Sequence, residues 1–245
     1  MTLIVHGVLR ASDASVLEDL GAEFFDDTHG VESDELVAVV SSAPQELGDD
    51  DAVAHLELLA AVAATVPVLP VQFGTVAPDE DAVRSEVLGS SRDSLTGLLD
   101  GIADVVELRL DLEFDEQASV RAVVAADPGL RARGAGDFES KLALGEEIAG
   151  RVAQHQQRVV DEWLQPLAAT AERMALLRAE EGRFQYALLV RRDALSKIDE
   201  QVAGLSGTVV GTAVLEYVGP IPPFSFLTEG AQPQDEARTA SRWGW

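Results

Sequence analysis

The sequence predicts an α+β fold of two packed αβ subdomains, the first ferredoxin-like and the second with a long helix and a small sheet. Three observations predict it. Val106, Leu108, Leu110, Leu112 and Phe114 alternate with Glu107, Arg109, Asp111 and Glu113, the period of a strand with one apolar and one wet face. Phe138, Leu142, Gly145, Ala149, Val152, Gln156, Val159 and Trp163 recur in alternating steps of four and three, the period of a helical stripe that packs on another element. Short runs near both ends of the chain read as β, α, β in order.

Leu3 to Leu9 and Glu35 to Val40 are aliphatic runs and read as strands. Between them, Ser12 to Leu20 fits a short helix with Val16, Leu17 and Leu20 inward, and Ala22 to Asp27 a strand that turns at Thr28, His29 and Gly30. Asp50 to Thr65 begins with aspartates that suit a helix amino terminus and places Val53, Leu56, Ala60 and Ala63 at helical spacing. Pro67 and Pro70 end that helix and keep Val66 to Phe73 extended. Pro78 and Asp79 open a helix to about Asp100, and the alternating strand at Val106 completes a ferredoxin-like first subdomain over residues 1–115, in which the helix near Asp50 is an addition.

Residues 116–228 form the expected second subdomain. A helical region from Asp137 to Glu181 is kinked or split at Pro166, with Leu167, Thr170, Met174 and Leu177 extending its apolar face. Phe184 to Val190 alternates, Asp193 to Ala203 is helical, and Thr208 to Val218 alternates again. The segment 229–245 is polar until Trp243 and Trp245 and is expected to be a mobile tail.

With 245 residues, 47% hydrophobic and 25% charged, the chain has enough apolar surface to fold. Eighteen Lys and Arg against 43 Asp and Glu leave a formal net charge of −25. Such a surface repels phosphate backbones, so nucleic acid is not an expected partner. The absence of cysteine excludes disulfides, thiolate metal sites and cysteine nucleophiles. No basic-then-apolar leader stands at Met1 to Arg10, and no apolar run approaches the roughly 18 residues of a spanning helix.

The search for chemistry finds no catalytic, cofactor or metal pattern. His6, His29, His55 and His155 lie without HxxxH or HExxH spacing. Asp111 and Glu113 read as the solvated face of a strand. Gly134 and Gly136 form a GxG without the preceding strand or third glycine of a dinucleotide site, and read as a loop. Neither GxSxG nor a Walker A motif occurs, so an enzyme is not expected.

Two segments are unusual in another way. Val66-Pro67-Val68-Leu69-Pro70-Val71-Gln72-Phe73-Gly74-Thr75 is apolar and stiffened by prolines that remove donors, which favours a sheet edge. It either supports the core or docks a partner segment. Gly219-Pro220-Ile221-Pro222-Pro223-Phe224-Ser225-Phe226 holds two phenylalanines on a path with little entropy left to lose. It either covers its own core or presents an apolar ligand to another protein.

VPVLPVQFGT after a helix containing His55-Leu56, with EYVGPIPPFSF at Glu216 to Phe226, resembles the paired signature of the GvpF/GvpL gas vesicle proteins. The long helix and RFQYALLVRRD, from Arg183 to Asp193, follow that family's order, so the resemblance covers nearly the whole chain. Ile221 and Phe224 stand where the family often has tryptophan and tyrosine, which keeps the apolar character but loses an indole donor and a hydroxyl. The resemblance implies a non-enzymatic accessory protein of the cytoplasm and the gas vesicle, with two αβ domains. Its implied partners are the major shell protein of the GvpA type, other accessory Gvp proteins and further copies of itself, with no cofactor. It implies either an assembly factor for the shell or a minor component incorporated into it. Pro67, Pro70, Phe73, Gly74, Gly219, Pro220, Pro222, Pro223, Phe224 and Phe226 are the interaction candidates.

Overall fold

The structure, a computed structural model, describes residues 1–20, 24–25, 27–44, 46–133 and 137–227. Gly134, Gly136, the tail from Glu229, and Ala22, Glu23 and Asp26 of the expected strand Ala22 to Asp27 lie outside the described residues.

A mostly aliphatic run broken by His6 and Gly7 makes β1 (Leu3–Arg10), which is followed by the short helix α1 (Val16–Leu20), β2 (His29–Ser33) and β3 (Leu36–Ser42). His29 and Gly30, expected in a turn, instead start β2, because they pair across from Val40 and Val39 of β3. Helix α2 (Asp49–Thr65) follows, with three aspartates in its first turn, and the Asp51 carboxylate accepts the Gly48 N–H at 2.8 Å. Its buried face is His55, Leu58, Leu59, Val62 and Ala63, while Val53 and Leu56 point to solvent. The sequence is apolar almost all round this helix, so spacing alone did not choose the face.

The two-residue strands β4 (Leu69–Pro70) and β5 (Val76–Ala77) both pair antiparallel with β1. The main sheet order is β2-β3-β1-β4. That is the ferredoxin-like order for a β-α-β-β-α-β run, with β4 as the closing edge. The expected closing strand, Val106 to Phe114, belongs to another sheet. After β5 come α3 (Glu80–Ala82), capped by the Asp79 carboxylate on Ala82 N–H at 2.9 Å, a π-helical stretch at Val83–Gly89, and α4 (Arg92–Gly101). The single helix expected from Pro78 to Asp100 is thus divided near Ser90 and Ser91.

Alternation in β3 serves two cores. Leu36, Ala38 and Val40 pack with Val83, Val87, Leu95 and Leu99, whereas Val37 and Val39 pack with Leu58, Leu59 and Val62. This first unit comprises Met1–Glu107 and the segment starting at Gly219.

The second unit, Leu108–Val218, begins inside β6 (Val105–Phe114). The division therefore differs from the expected one at residue 115, and the chain re-enters the first unit at Gly219 rather than ending in the second. Next come α5 (Glu116–Ala126), α6 (Gly129–Arg133), α7 (Phe138–Ala168), β7 (Arg173–Glu180), β8 (Arg183–Arg191), α8 (Leu195–Val209), β9 (Ala213–Ile221) and α9 (Phe224–Leu227). The sheet order is β7-β8-β6-β9.

Helix α7 runs two residues past Pro166 and stops, and Arg173–Glu180 is a strand rather than its continuation. Glu181 and Gly182, both with positive φ (46° and 82°), make the tight turn that sends the chain back as β8. Thr208 and Val209, expected in a strand, extend α8. The core joins Leu108, Leu110, Leu112 and Phe114 with Val160, Leu164 and Leu167 of α7 and with Ile198, Val202 and Leu205 of α8. Trp163 stacks on Phe114 with ring centroids 5.5 Å apart. The predicted α7 stripe packs only in its second half. Phe138 is 83% exposed and Leu142 56%.

Candidate interaction segments

The strand β1 prepares the place for the first proline-marked segment. Gly7 sits opposite Pro70, and a Cβ there would stand 2.9 Å from the Leu69 carbonyl oxygen and from a Val68 methyl. Glycine is what allows the two backbones to lie so close. Val71 N–H donates to the His6 carbonyl at 2.9 Å, and Val5 N–H to the Thr75 carbonyl at 2.9 Å, so the segment is laced to β1 on both sides of a turn. In that turn Thr75 N–H reaches the Gln72 carbonyl at 3.1 Å, with Gly74 at φ 86°.

Beneath the segment lie two histidines that are 49 residues apart in sequence. His6 Nδ1 and His55 Nδ1 are 2.9 Å apart, and His6 Nε2 is 2.8 Å from Ser41 Oγ. His55 also bonds the backbone of Val71 in a way that favours its charged form, which identifies the carbonyl as acceptor. One assignment satisfies every partner. Ser41 donates to His6 Nε2, His6 Nδ1–H donates to His55 Nδ1, and His55 Nε2–H donates to Val71. The rings are packed on by Phe25 at 4.6 Å from His6 and Phe73 at 5.4 Å from His55. Burial lowers both pKa values. His6 is pushed down to about 3, chiefly by desolvation and then by its neighbour His55, against a smaller upward pull from Asp27. The relay ties β3, β1, α2 and the proline segment together as neutral groups.

Pro67, Pro70 and Phe73 are half-buried and Gly74 is exposed, while Val68, Leu69 and Val71 between them are fully inside. The segment therefore turns its aliphatic side chains into the first unit's core and keeps its glycine turn outside.

The second segment is anchored by a residue that the strand pattern misassigned. Glu107, expected on a wet face, is fully buried, and its carboxylate accepts the Ser225 N–H at 2.7 Å and the Ser225 hydroxyl at 2.8 Å. Charge-assisted bonds of this kind are the strong ones. The Pro223 carbonyl accepts the N–H groups of Phe226 at 3.0 Å and Leu227 at 3.1 Å, closing the single turn α9. Pro222, Pro223 and Phe226 are buried, Pro220 and Phe224 half-buried and Gly219 exposed. Phe224 packs against the cluster formed by α2 and β3, and Leu227 against the opposite cluster. The structure thus gathers both proline-marked segments, and every candidate residue, into one unit.

Gly7, Ser41 and Glu107 are the participants that sequence reasoning missed. Glu107 carried a usable signal, since it stands among Val105, Val106 and Leu108 rather than among polar residues. Among the described residues, no group of three or more His, Asp or Glu side chains is placed to hold a metal ion, and no helix is long and apolar enough to cross a membrane.

The model of a family described as "Gas vesicle synthesis protein GvpL/GvpF" matches residues 3–228. A curated relative, gas vesicle protein F of Streptomyces sp. (strain CB03234), is 34% identical over 246 residues, spanning 93% of this chain and 100% of the relative. Two crystal structures share the fold. Gas vesicle protein GvpF from Anabaena sp. PCC7120 superposes with a TM-score of 0.73 at 18% identity, and GvpF from Microcystis aeruginosa with 0.68 at 15%, each covering 92% of this chain and 98% of the other. The order of two proline-marked segments around a long helix, the matched span and the shared two-sheet fold all agree, and the chain belongs to the GvpL/GvpF family of gas vesicle proteins.

Proposed function

We propose that this chain is a non-catalytic accessory factor in building the gas vesicle shell, acting in the cytoplasm by binding the major shell protein of the GvpA type and other accessory Gvp proteins. The observation that carries this reading is the family match over residues 3–228, a family described by its part in gas vesicle synthesis. A shell subunit that is insoluble until assembled needs a soluble partner with a matched surface, and a chain of net charge −25 stays in solution while presenting apolar patches.

Deleting the gene and complementing it tests the role. Restored vesicles with the parent chain are expected, and vesicles that form normally without it would end the proposal. Complementation with Phe73→Asp and Phe224→Asp, each checked for folding, asks whether the two signature segments serve as interfaces. A pull-down of the major shell subunit by the purified, folded chain at physiological salt tests the binding step. Recovery of the chain from washed vesicles in fixed proportion to the shell protein would instead make it an incorporated component.

A further inference from the structure

The heptad stripe of α7 is filled along one half of its length and empty along the other. Written as alternating core positions, Phe138, Leu142, Gly145, Ala149, Val152, Gln156, Val159 and Trp163 form one seam. From Gln156 onward this seam meets its own unit: Gln156 donates to Ser119 Oγ at 3.0 Å, and Trp163 lies on Phe114. Toward the amino terminus, among the described residues, the seam is exposed at Phe138, Leu142, Gly145 and Ala149 and half-buried at Val152. Phe138 and Leu142 stand in solvent, and Gly145, Ala149 and Val152 form one wall of an open groove of about 740 Å³.

The groove has apolar walls and an acidic rim. Val120 of α5, Ile148 of α7 and Phe184 of β8 add to the apolar lining, Glu116, Glu180 and Glu181 stand at the same groove, and no lysine or arginine among the described residues lines it. Glu180 is already engaged by Arg178 at 3.0 Å, which leaves Glu116 and Glu181 as the main acidic contributions. Beside the exposed part of the seam, helical spacing places Glu139 and Glu146 along one flank, where a coiled-coil partner carries its charged residues. Lys141 stands on the other flank.

We propose that this groove and the exposed seam of α7 dock an amphipathic helix of a partner protein, one with large apolar side chains on one face and arginine or lysine beside them. The seam period calls for a helix, because a strand's period of two does not match steps of three and four. Small residues at Gly145 and Ala149 leave room for the partner's large side chains, and a Cβ added at Gly145 would meet nothing within 4 Å. The glutamates set the partner's charge. In an antiparallel pairing they also disfavour a second copy of this chain, whose own α7 would bring Glu139 and Glu146 against the same acidic flank. The inference rests on the proposed assembly role only for the identity of the partner in the cell.

The test uses the full chain and two labelled synthetic peptides, each about 21 residues long so as to span three heptads. Both carry leucine at the seam positions. One carries arginine at the flanks and the other glutamate, and binding is read by fluorescence anisotropy. The arginine peptide is expected to bind at least about tenfold more tightly than the glutamate peptide, with an affinity that falls as salt rises. Ala149→Trp, which fills the groove, and the double variant Glu139→Lys with Glu146→Lys are each expected to weaken the arginine peptide by about tenfold while leaving the thermal midpoint near that of the parent.

Equal binding of the two peptides, no binding of either, or variants that bind like the parent would overturn the proposal. So would a concentration-dependent dimer in sedimentation that Phe138→Asp abolishes, since a second copy would then occupy the seam. A chain that fails this test while gene deletion still removes vesicles loses the docking surface and keeps the assembly role.

Discussion

In the first unit helices lie against both faces of the sheet, and both proline-marked segments are folded into that arrangement through bonds to buried partners. In the second unit α7 and α8 build one core with the sheet, while β7 lies along the edge with Met174, Leu176 and Leu177 largely in solvent and the first half of α7 carries an exposed stripe. The contrast separates two uses of sequence. The two proline-marked segments hold a unit together, and the surface with spare apolar area lies outside them.

The largest expected effect comes from the close approach of β1 and the first segment. Gly7→Val sets a branched side chain against the Leu69 carbonyl and Leu59, the latter 3.0 Å from the new Cβ, and backbone cannot move as a flexible side chain can. A loss of about 3 kcal/mol is expected in denaturant titration, with hydrogen exchange rising first in the first unit. Unchanged protection there would mean that the segment is not held as tightly as the geometry implies.

Next comes the anchor of the second segment. Ser225→Ala removes the hydroxyl bond to Glu107 and leaves the backbone bond, so a loss of about 2 kcal/mol is expected. Glu107→Gln should cost a similar amount, because the amide keeps the shape and loses the charge that strengthens both bonds. If the two substitutions combined cost as much as their separate sum, the pair would not be coupled and the anchor would be ordinary packing.

These two sites also mark how far the sequence could be read. The first strand, the short helix, the strand at Leu36 and the helix at Asp50 were legible because hydrophobic period and turn residues are local signals. The second strand, however, is His29–Ser33 rather than a run from Ala22, and the helix at Asp50 is the second helix of the ferredoxin-like order rather than an addition to it. Which strand closed the sheet was not legible. Val106 to Phe114 has the better alternation, yet Leu69–Pro70 takes the place because Gly7 admits it and the ladder at Val5 and Val71 fixes it. The stretch Met174 to Glu180 has helix-forming residues and read as helix. The turn at Glu181 and Gly182 turned it into a strand through tertiary pairing with β8. The proline segments announced themselves, whereas their partners His6, Ser41 and Glu107 come from distant sequence and only the fold brings them together.

A smaller effect concerns pH. His6 and His55 stay neutral in the folded first unit, their pKa values held below the ordinary 6.5 by burial, whereas the unfolded chain gains protons as pH falls through that value. The unfolded state then binds more protons than the native state, so stability falls with decreasing pH, by up to about 1.4 kcal/mol per pH unit for each histidine below 6.5. Between pH 6.5 and 5.5, at salt high enough to screen the surface carboxylates, a loss of about 1 kcal/mol is expected from His6 alone, with His55 adding to it, concentrated in the first unit. The direct check is the histidine ring resonances. Those of His6 should not move between pH 7.5 and 5, and a His6 that titrates near 6.5 would dismiss the neutral relay.

The smallest expected effect is the sharpest test of the contrast. Phe138→Asp and Leu142→Ser change side chains that are mostly in solvent, on a part of α7 that the second unit leaves uncovered. If that surface is spare in the isolated chain, both variants should unfold within about 0.5 kcal/mol of the parent, despite removing large apolar groups from the start of a regular stripe. A cut on the buried face of the same helix, such as Leu164→Ser, removes a fully enclosed side chain and should cost several-fold more. A loss at Phe138 comparable to the loss at Leu164 would mean that the amino-terminal half of α7 is packed in solution, and the two units, whose sheets share one strand order, would then not differ in what they leave free to bind.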